Sequence, residues 1–426
     1  MPTYREDTLE YLTVIDSRTK RSYRIPIVNN SVNAIDFRQI TLGDARTAAE
    51  GQNEPGLRIF DRGFVNTACI ETSIIKIDGK NGQEVMHLLI WGHLPSTMEK
   101  LLLRRALATQ MKPPQSVIDT IRTFPRDSST FSMLVGGLSA YAAIDEGSGM
   151  ARNQLQPIFL GNMKIVDAAI LRTIAIVATT VALVYCHKRG REFTPADPYG
   201  SWVGNMLLMM GMVEDSKNET ETEKILQRLW ILHADHGMTN STAAFLLAAS
   251  TLTDPLSCAI SSLASVFGPL HAVPAFIEAV KAKRQRLFGY GHRIYKTVDP
   301  RAPLIRKMIE EHLRGREQSG NTLENDRLLQ IVLEIDCIAS SDSYFASRSL
   351  HANADLYGPL LYAALGFERD IILAMAYVSR LPGMLAYWRE EMQKPPMIWR
   401  PQQLHKKSTL SKDRKGELGI EVSAKL

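Results

Sequence analysis

The chain has 426 residues, 45% hydrophobic and 22% charged, with a net charge of +5. That length buries a large core and fits two or three domains, and the composition is that of a soluble globular protein. The charge is too mild and too dispersed to argue for nucleic acid, and suits an anionic small-molecule substrate instead. Cys69, Cys186, Cys258 and Cys337 lie far apart without CxxC spacing. This argues against a zinc knuckle or a disulfide framework and suits a reducing compartment.

The opening MPTYREDTLEYL carries early acids and no apolar core, so neither a secretory signal nor an Arg-rich transit peptide is expected. YLTVID and SYRIPIV flank the polar turn SRTKR and predict a β-hairpin. A second extended stretch, RIFDRGFVNTACIETSIIKIDG, ends on Asp78-Gly79. From Met86 onward the pattern turns helical. SMLVGGLSAYAAI, VDAAILRTIAIVATTVALVY, WVGNMLLMMGMV, EKILQRLWILHAD, TAAFLLAAS and PLSCAISSLASVF follow one another with short Gly/Pro-containing breaks. LIRKMIEEHLRG, RLLQIVLEIDCIAS, GPLLYAALG and IILAMAYVSRLPGMLAYWREEM continue the series. The apolar run Thr173 to Cys186 is shorter than the roughly 20 residues of a membrane span and reads as a buried core helix. No fixed-period repeat shows, no nucleotide-binding glycine motif follows a strand, and the methionine stripes read as core filling. The basic tail (His405, Lys406, Lys407, Lys412, Arg414, Lys415) reads as solvated. It ends on Ala424-Lys425-Leu426, a near variant of the peroxisomal Ser-Lys-Leu address.

Chemistry-bearing residues fall at isolated places among only ten histidines. LHADHGMTNSTAAF puts His233, Asp235 and His236 within one helical turn, but the spacing is not His-Glu-x-x-His and no further ligand cluster is evident, so no metal is expected. FGPLHAVPAF places His271 after Gly-Pro, and HANADLYGPLL places Asp355 at the start of an apolar helix, where the dipole alone would favour an acid. YVSRLPG sets Arg380 among apolar neighbours, where a charge wants an anion, and MIWRPQQL repeats the theme with Arg400. GYGHRIYKTVDPRA holds Gly289, Gly291, His292, Lys296 and Arg301. Its glycines let a ligand approach the main chain, or the stretch is a surface turn with solvated charges. Together these residues form the inventory of a carbon–carbon condensation on a dicarboxylic keto acid. A carboxylate takes a proton beside a thioester, histidines polarise the enolate oxygen and the ketone, and arginines hold the carboxylates.

From about Tyr11 to Leu404 the chain resembles the citrate synthase family, most strongly in LHADHGMTNST, GPLH, GYGHRIYKTVDPRA, SDSYFASRSLHANADLYG and SRLPGMLAYWREEM. The resemblance implies a mainly α, two-domain helical fold with a short N-terminal β region. A large domain (1–272 and 367–426) carries a small one (273–366) that closes over bound oxaloacetate. It implies Asp355 as the base toward the acyl-CoA, His271 at the enolate and His292 at the oxaloacetate ketone. His236, Arg301, Arg380 and Arg400 would bind oxaloacetate, with Arg400 crossing from the partner subunit of a homodimer with shared active sites. Leu287, Gly289, Tyr290, Gly291, Lys296 and Arg348 would bind coenzyme A. The thioester is a substrate; no cofactor, no metal, no nucleic acid and no membrane are implied.

Three departures from the family pattern stand out. Ala272-Val273-Pro274-Ala275 replaces the usual Gly-Gly-Ala-Asn after GPLH. Gly237 and Thr239 stand where Glu and Asn are usual, and a family segment is missing after Gly79. A complete acid–base set beside an altered acyl neighbourhood points to an alkylcitrate synthase of secondary metabolism using a longer acyl-CoA, and Ala424-Lys425-Leu426 points to the peroxisome, otherwise the cytoplasm. The alternatives are a housekeeping citrate or methylcitrate synthase, or an inactive paralogue that only binds.

Overall fold

The computed structural model describes residues 10–41, 56–61, 63–64, 66–74, 82–145, 157–216, 219–267, 289–291, 298–319 and 324–401. They fall into two compact units, Met1–Glu71 and Thr72–Leu426.

In the first unit, β1 (Tyr11–Ile15) and β2 (Ser22–Val28) pair antiparallel, with Leu12 opposite Ile25. β2 also pairs antiparallel with the short β3 (Ser31–Val32). The turn between them is Asn29-Asn30, both left-handed (φ 51° and 56°), the backbone that matches the twist of a two-residue hairpin. A 3₁₀ helix follows at Ala34–Gln39, capped by the Asn33 side chain. The hairpin forms where the alternation places it. The second extended stretch does not join it: the described residues between 57 and 74 form no strand, and Ile59, Phe60 and Phe64 stay exposed. Extended residues become a strand only when a neighbour satisfies their amides, and no described residue of this stretch pairs with β1, β2 or β3.

The second unit is helical. Its described helices are α1 (Gly82–Trp91), α2 (Thr97–Gln110), α3 (Gln115–Arg122), α4 (Thr130–Ile144), α5 (Met163–Arg189), α6 (Trp202–Met209) and α7 (Glu221–His233). There follow α8 (Asn240–Ala249), α9 (Pro255–Val266), α10 (Arg301–Ser319), α11 (Glu324–Ser341), α12 (Ser343–Ala346), α13 (Ala354–Ala364) and α14 (Arg369–Glu391). Local signals set their starts. Ser96 and Glu99 form a reciprocal capping box on α2, Thr220 caps α7, and Asp254 caps α9 with Pro255 in its first turn.

Every residue from Thr173 to Cys186 on α5 is buried. At 27 residues α5 exceeds the apolar run and is long enough to cross a membrane, as is α14, but most of each apolar window is enclosed by protein. α14 is the hub: it packs on α1, α5, α7, α8, α9 and α13. Its Ser-Arg-Leu-Pro-Gly turn carries Arg380, and Gly383 lets the chain after α7 come close. A Cβ on Gly383 would run into the carbonyl oxygen of Ala234, far inside van der Waals contact, and would sit 3.2 Å from the Asp235 side chain.

The helical expectation is thereby met. The first boundary of the expected small domain, at residue 273, lies outside the described residues. Gly383→Ala should destabilise the protein by about 1–3 kcal/mol, the usual effect of forcing a methyl into a filled contact. Gly315→Ala on α10, where a Cβ meets open space, should instead stabilise by up to about 1 kcal/mol through helix propensity. Denaturant midpoints of the two variants measured side by side check this, and equal shifts would remove the packing role of Gly383.

Candidate active site

The site is assembled at three helix ends. α7 terminates at His233, α10 starts at Arg301, and α13 starts at Ala354. α14 runs alongside with Arg380.

The segment after α7 passes α13 and α14. Gly383 of α14 makes room for Ala234, whose carbonyl oxygen a Cβ would collide with, while a Cβ on Gly358 of α13 would meet the His233 ring at 3.4 Å, an ordinary van der Waals contact. Gly237 is left-handed (φ 67°), and its N–H donates to both Asp235 carboxylate oxygens at 3.2 Å. A glutamate at 237 would be strained in that conformation. Thr239 caps α8, accepting the Thr242 N–H at 3.3 Å, with the Thr242 hydroxyl at 2.9 Å. The Gly237 departure thus suits the local backbone, whereas the cap made by Thr239 is one the usual Asn would make equally well. The Tyr387 hydroxyl donates to Asp235 at 3.3 Å, and burial followed by the Asp235 charge raises its pKa.

His233 was singled out in the sequence only as a metal candidate. Its ring lies 6.4 Å from that of Tyr362, and its buried Nδ1 finds no hydrogen-bond partner among the described residues. Burial, then the charges of Arg301 and Arg380, lower its pKa to about 3, so it is neutral at physiological pH. His236 is partly buried within electrostatic reach of His233.

Arg380 donates from Nη1 to the His233 carbonyl at 3.0 Å. Among the described residues it forms no ion pair with a carboxylate. Burial and the Arg301 charge bring its pKa down to about 10, with the fields of Asp235 and Asp355 acting the other way. A mostly desolvated guanidinium with no carboxylate partner is a strong anion site. Arg301 is held differently. Its Nε and Nη2 donate to Asp299 at 3.0 and 2.7 Å, and its own N–H donates at 3.0 Å. This leaves the Nη1 side for a further acceptor.

Asp299 carries more of the site than the sequence indicates. Its side chain is fully buried, and besides Arg301 it accepts the Ala354 N–H at 3.1 Å. Burial pushes its carboxyl up, but the hydrogen bonds and charge of Arg301 and the Ala354 amide outweigh that and bring it to about 2. Read in sequence, Asp299 before Pro300 is an ordinary turn residue; the available signal was an acid two places before an arginine outside any charge run.

Asp355 is exposed in the first turn of α13, its N–H donating to the Asn353 cap at 2.9 Å. Pro359 has no N–H to offer the Asp355 carbonyl one turn on. Gly289 and Gly291 are left-handed (φ 81° and 77°), as the glycine reading anticipates. The close approach at Gly289 is by protein: a Cβ there would lie 2.6–2.8 Å from Leu356 of α13. Tyr290 bridges to Ala352 and donates its hydroxyl to Asp336 at 2.6 Å. The nearly buried Asp336 also accepts from Tyr357 at 2.5 Å, Arg306 at 2.9 Å and Ser340 at 3.2 Å.

His236, Arg301, Arg380 and Asp355 are thus brought to one region, and the loop Gly289–Gly291 packs on the same helix as Asp355. Arg348 is exposed, stacked over the Tyr344 ring at 4.1 Å and donating to the Tyr344 carbonyl at 3.1 Å. Arg400 is exposed beyond the end of α14, and no described contact joins it to this group. His271, His292, Leu287 and Lys296 lie outside the described residues, as do Ala272–Ala275, the segment following Gly79 and the C-terminal tail.

The acid response follows from His233. Above about pH 6.5, the ordinary histidine value, neither folded nor unfolded chain protonates it. Below that the unfolded chain takes a proton that the folded protein refuses until about pH 3. Stability contributed by neutral His233 should therefore be lost on acidification, at about 1.4 kcal/mol per pH unit within that window. His233→Gln should unfold with a shallower pH slope than wild type between pH values of about 4 and 6.5. Denaturant unfolding at a series of pH values measures both slopes, and parallel slopes would mean that His233 titrates normally.

Residues 73–402 match the family model "Citrate synthase, C-terminal domain". A citrate synthase-like protein of Aspergillus oryzae is 39% identical, over 93% of this chain and 95% of its own length. An alkylcitrate synthase of a fungal species is 34% identical, over 91% of this chain and 92% of its own. The citrate synthase of Thermoplasma acidophilum, solved as a ternary complex with carboxymethyl coenzyme A and oxaloacetate, shares the fold. Its TM-score is 0.65 at 24% identity, covering 76% of this chain and 85% of that one. The motifs, the helical architecture and these matches agree: the chain belongs to the citrate synthase family and is an acyltransferase of the citrate synthase type.

Proposed function

We propose that the enzyme condenses an acyl-CoA with oxaloacetate and hydrolyses the resulting thioester, and that its donor is longer than acetyl-CoA, making the product a 2-alkylcitrate. The observation that carries this reading is Arg380, a largely desolvated guanidinium without a carboxylate partner among the described residues, with Asp355 among its charged neighbours. In this reading one oxaloacetate carboxylate pairs with Arg380 and the other with the Nη1 side of Arg301. Arg400 of a second subunit adds a further contact in a homodimer, and His236 another. The Asp355 carboxylate removes a proton from the carbon beside the thioester, and the enolate formed attacks the ketone carbon of oxaloacetate. His271 steadies the enolate oxygen and His292 donates the proton to the new alkoxide. Water then cleaves the thioester, releasing coenzyme A and the tricarboxylate. Coenzyme A lies along Leu287, Gly289, Tyr290 and Gly291, with Lys296 and Arg348 toward its phosphates. The alkylcitrate synthase relative and the Ala272-Val273-Pro274 sequence after His271 support the longer donor. Each buried methylene would add roughly 0.8 kcal/mol to binding. The terminal Ala424-Lys425-Leu426 supports a peroxisomal location.

The test is a series of acetyl-, propionyl-, hexanoyl- and octanoyl-CoA with oxaloacetate, following thiol release and product mass. Hexanoyl- or octanoyl-CoA should give the highest kcat/KM, and Asp355→Asn should lower kcat by roughly 10²–10⁴-fold. If acetyl-CoA wins, the protein is a citrate synthase with an unusual loop. If no thioester is consumed, it is a binding paralogue.

The arginines give a separate expectation. Arg380→Leu should weaken oxaloacetate by at least roughly 10-fold while changing acyl-CoA affinity little, because a carboxylate would then be buried unpaired. Titration calorimetry with each substrate alone reads the two effects, and equal weakening of both would remove Arg380 from the oxaloacetate site.

A further inference from the structure

Asn353 makes one connection on each side of its short side chain. Its Oδ1 accepts the Asp355 N–H at 2.9 Å, which caps α13. Its Nδ2 donates to the Gly291 carbonyl at 2.8 Å. The main chain extends the same junction: the Asn353 N–H donates to the Gly289 carbonyl at 2.7 Å, and the Gly291 N–H to the His351 carbonyl at 2.8 Å. Asn353 is itself buried, 7% exposed, so water is a poor substitute for either partner.

We propose that Asn353 is a positioning residue that sets the coenzyme A loop Gly289–Gly291 in register with the base Asp355. The inference rests on the function proposed above. A thioester bound through its nucleotide end must present its α-carbon to a carboxylate on a different segment, and a small error in the distance between the two is expensive in rate. One amide side chain that holds both segments fixes that distance. No other residue type of this size carries the acceptor and the donor on two separate atoms. Aspartate keeps the cap and loses the donor. Serine keeps the cap and is too short for Gly291. Alanine keeps neither.

The loop has a second anchor in the Tyr290 hydroxyl on Asp336, so loss of the Asn353 side chain leaves it attached and the variants fold. The test compares Asn353→Ser with Asn353→Ala. Calorimetry gives the Kd of coenzyme A and of oxaloacetate separately, and kcat is taken with the acyl-CoA that wild type turns over fastest. Both variants should bind coenzyme A roughly 3–10-fold more weakly, with oxaloacetate affinity held within about twofold, since one neutral hydrogen bond is lost on the coenzyme A side only. Asn353→Ala should in addition have a kcat roughly tenfold below that of Asn353→Ser, because only serine keeps the helix start that carries Asp355. The inference is overturned if Asn353→Ser binds coenzyme A as wild type does, if the two variants share one kcat, or if both substrates weaken in parallel. A wild-type protein that binds no coenzyme A overturns the proposed function itself and takes the role of Asn353 with it.

Discussion

The buried carboxylate of Asp299 is the contact on which the site depends. It takes a fork of two hydrogen bonds from the Arg301 side chain, one from the Arg301 main chain and one from the Ala354 main chain. Two helices far apart in sequence thereby begin at the same negative charge. α10 brings an arginine to that point and α13 brings a carboxylic acid one residue further on. A buried charge is tolerable only when its acceptors are filled, so removing Asp299 would release Arg301 and the start of α13 together.

A second constraint is space. The turn from His233 to Gly237 runs against α14 at Gly383, where a Cβ would collide with the Ala234 carbonyl oxygen, and beside Gly358 of α13, where a Cβ would make ordinary contact with the His233 ring. Packing removes much of the water around His233 and Arg380, both of which stay partly exposed, and that desolvation is the largest cause shifting both toward their neutral forms. The shifts run in the direction useful for holding an anion. A neutral histidine adds no competing charge, and an arginine short of a counter-ion gains most from one. Tyr387 and the Asp235 carboxylate close the far side of this turn.

The glycine-loop side of the site is organised by hydrogen bonds from one helix start. Asn353 joins the glycine loop to α13 directly, while Asp336 joins Tyr290 of the loop to Tyr357 of the same helix and to Arg306 of α10. The donors around Asp336 are two tyrosines, a serine and an arginine, enough to satisfy a nearly buried carboxylate and to hold the loop at a defined height above the helix.

Much of this was legible in the chain. The hairpin, the order of the helices and the burial of the Thr173–Cys186 run follow from hydrophobic period and turn chemistry, which act over a few residues and need no knowledge of the fold. Asp355 and Arg380 were visible for a related reason: a charge at the start of an apolar helix, or inside one, stands out against its neighbours. The motifs also carried the family. What stayed hidden depends on contacts between distant segments. Asp299, Asp336 and Asn353 look like turn and helix residues in one dimension, and the partners through which they join separate segments lie 21 to 62 positions away. The reach of Gly289 was ambiguous for the same reason. Its positive φ could be anticipated, but that the approaching backbone belongs to Leu356 could not. By itself the sequence determined the elements and the residue types available for condensation chemistry, because local propensity and composition are properties of neighbours along the chain. Only the tertiary structure decided which carboxylates are used up in holding the site together and which is left exposed, because burial and hydrogen-bond pairing exist only once distant helices have met.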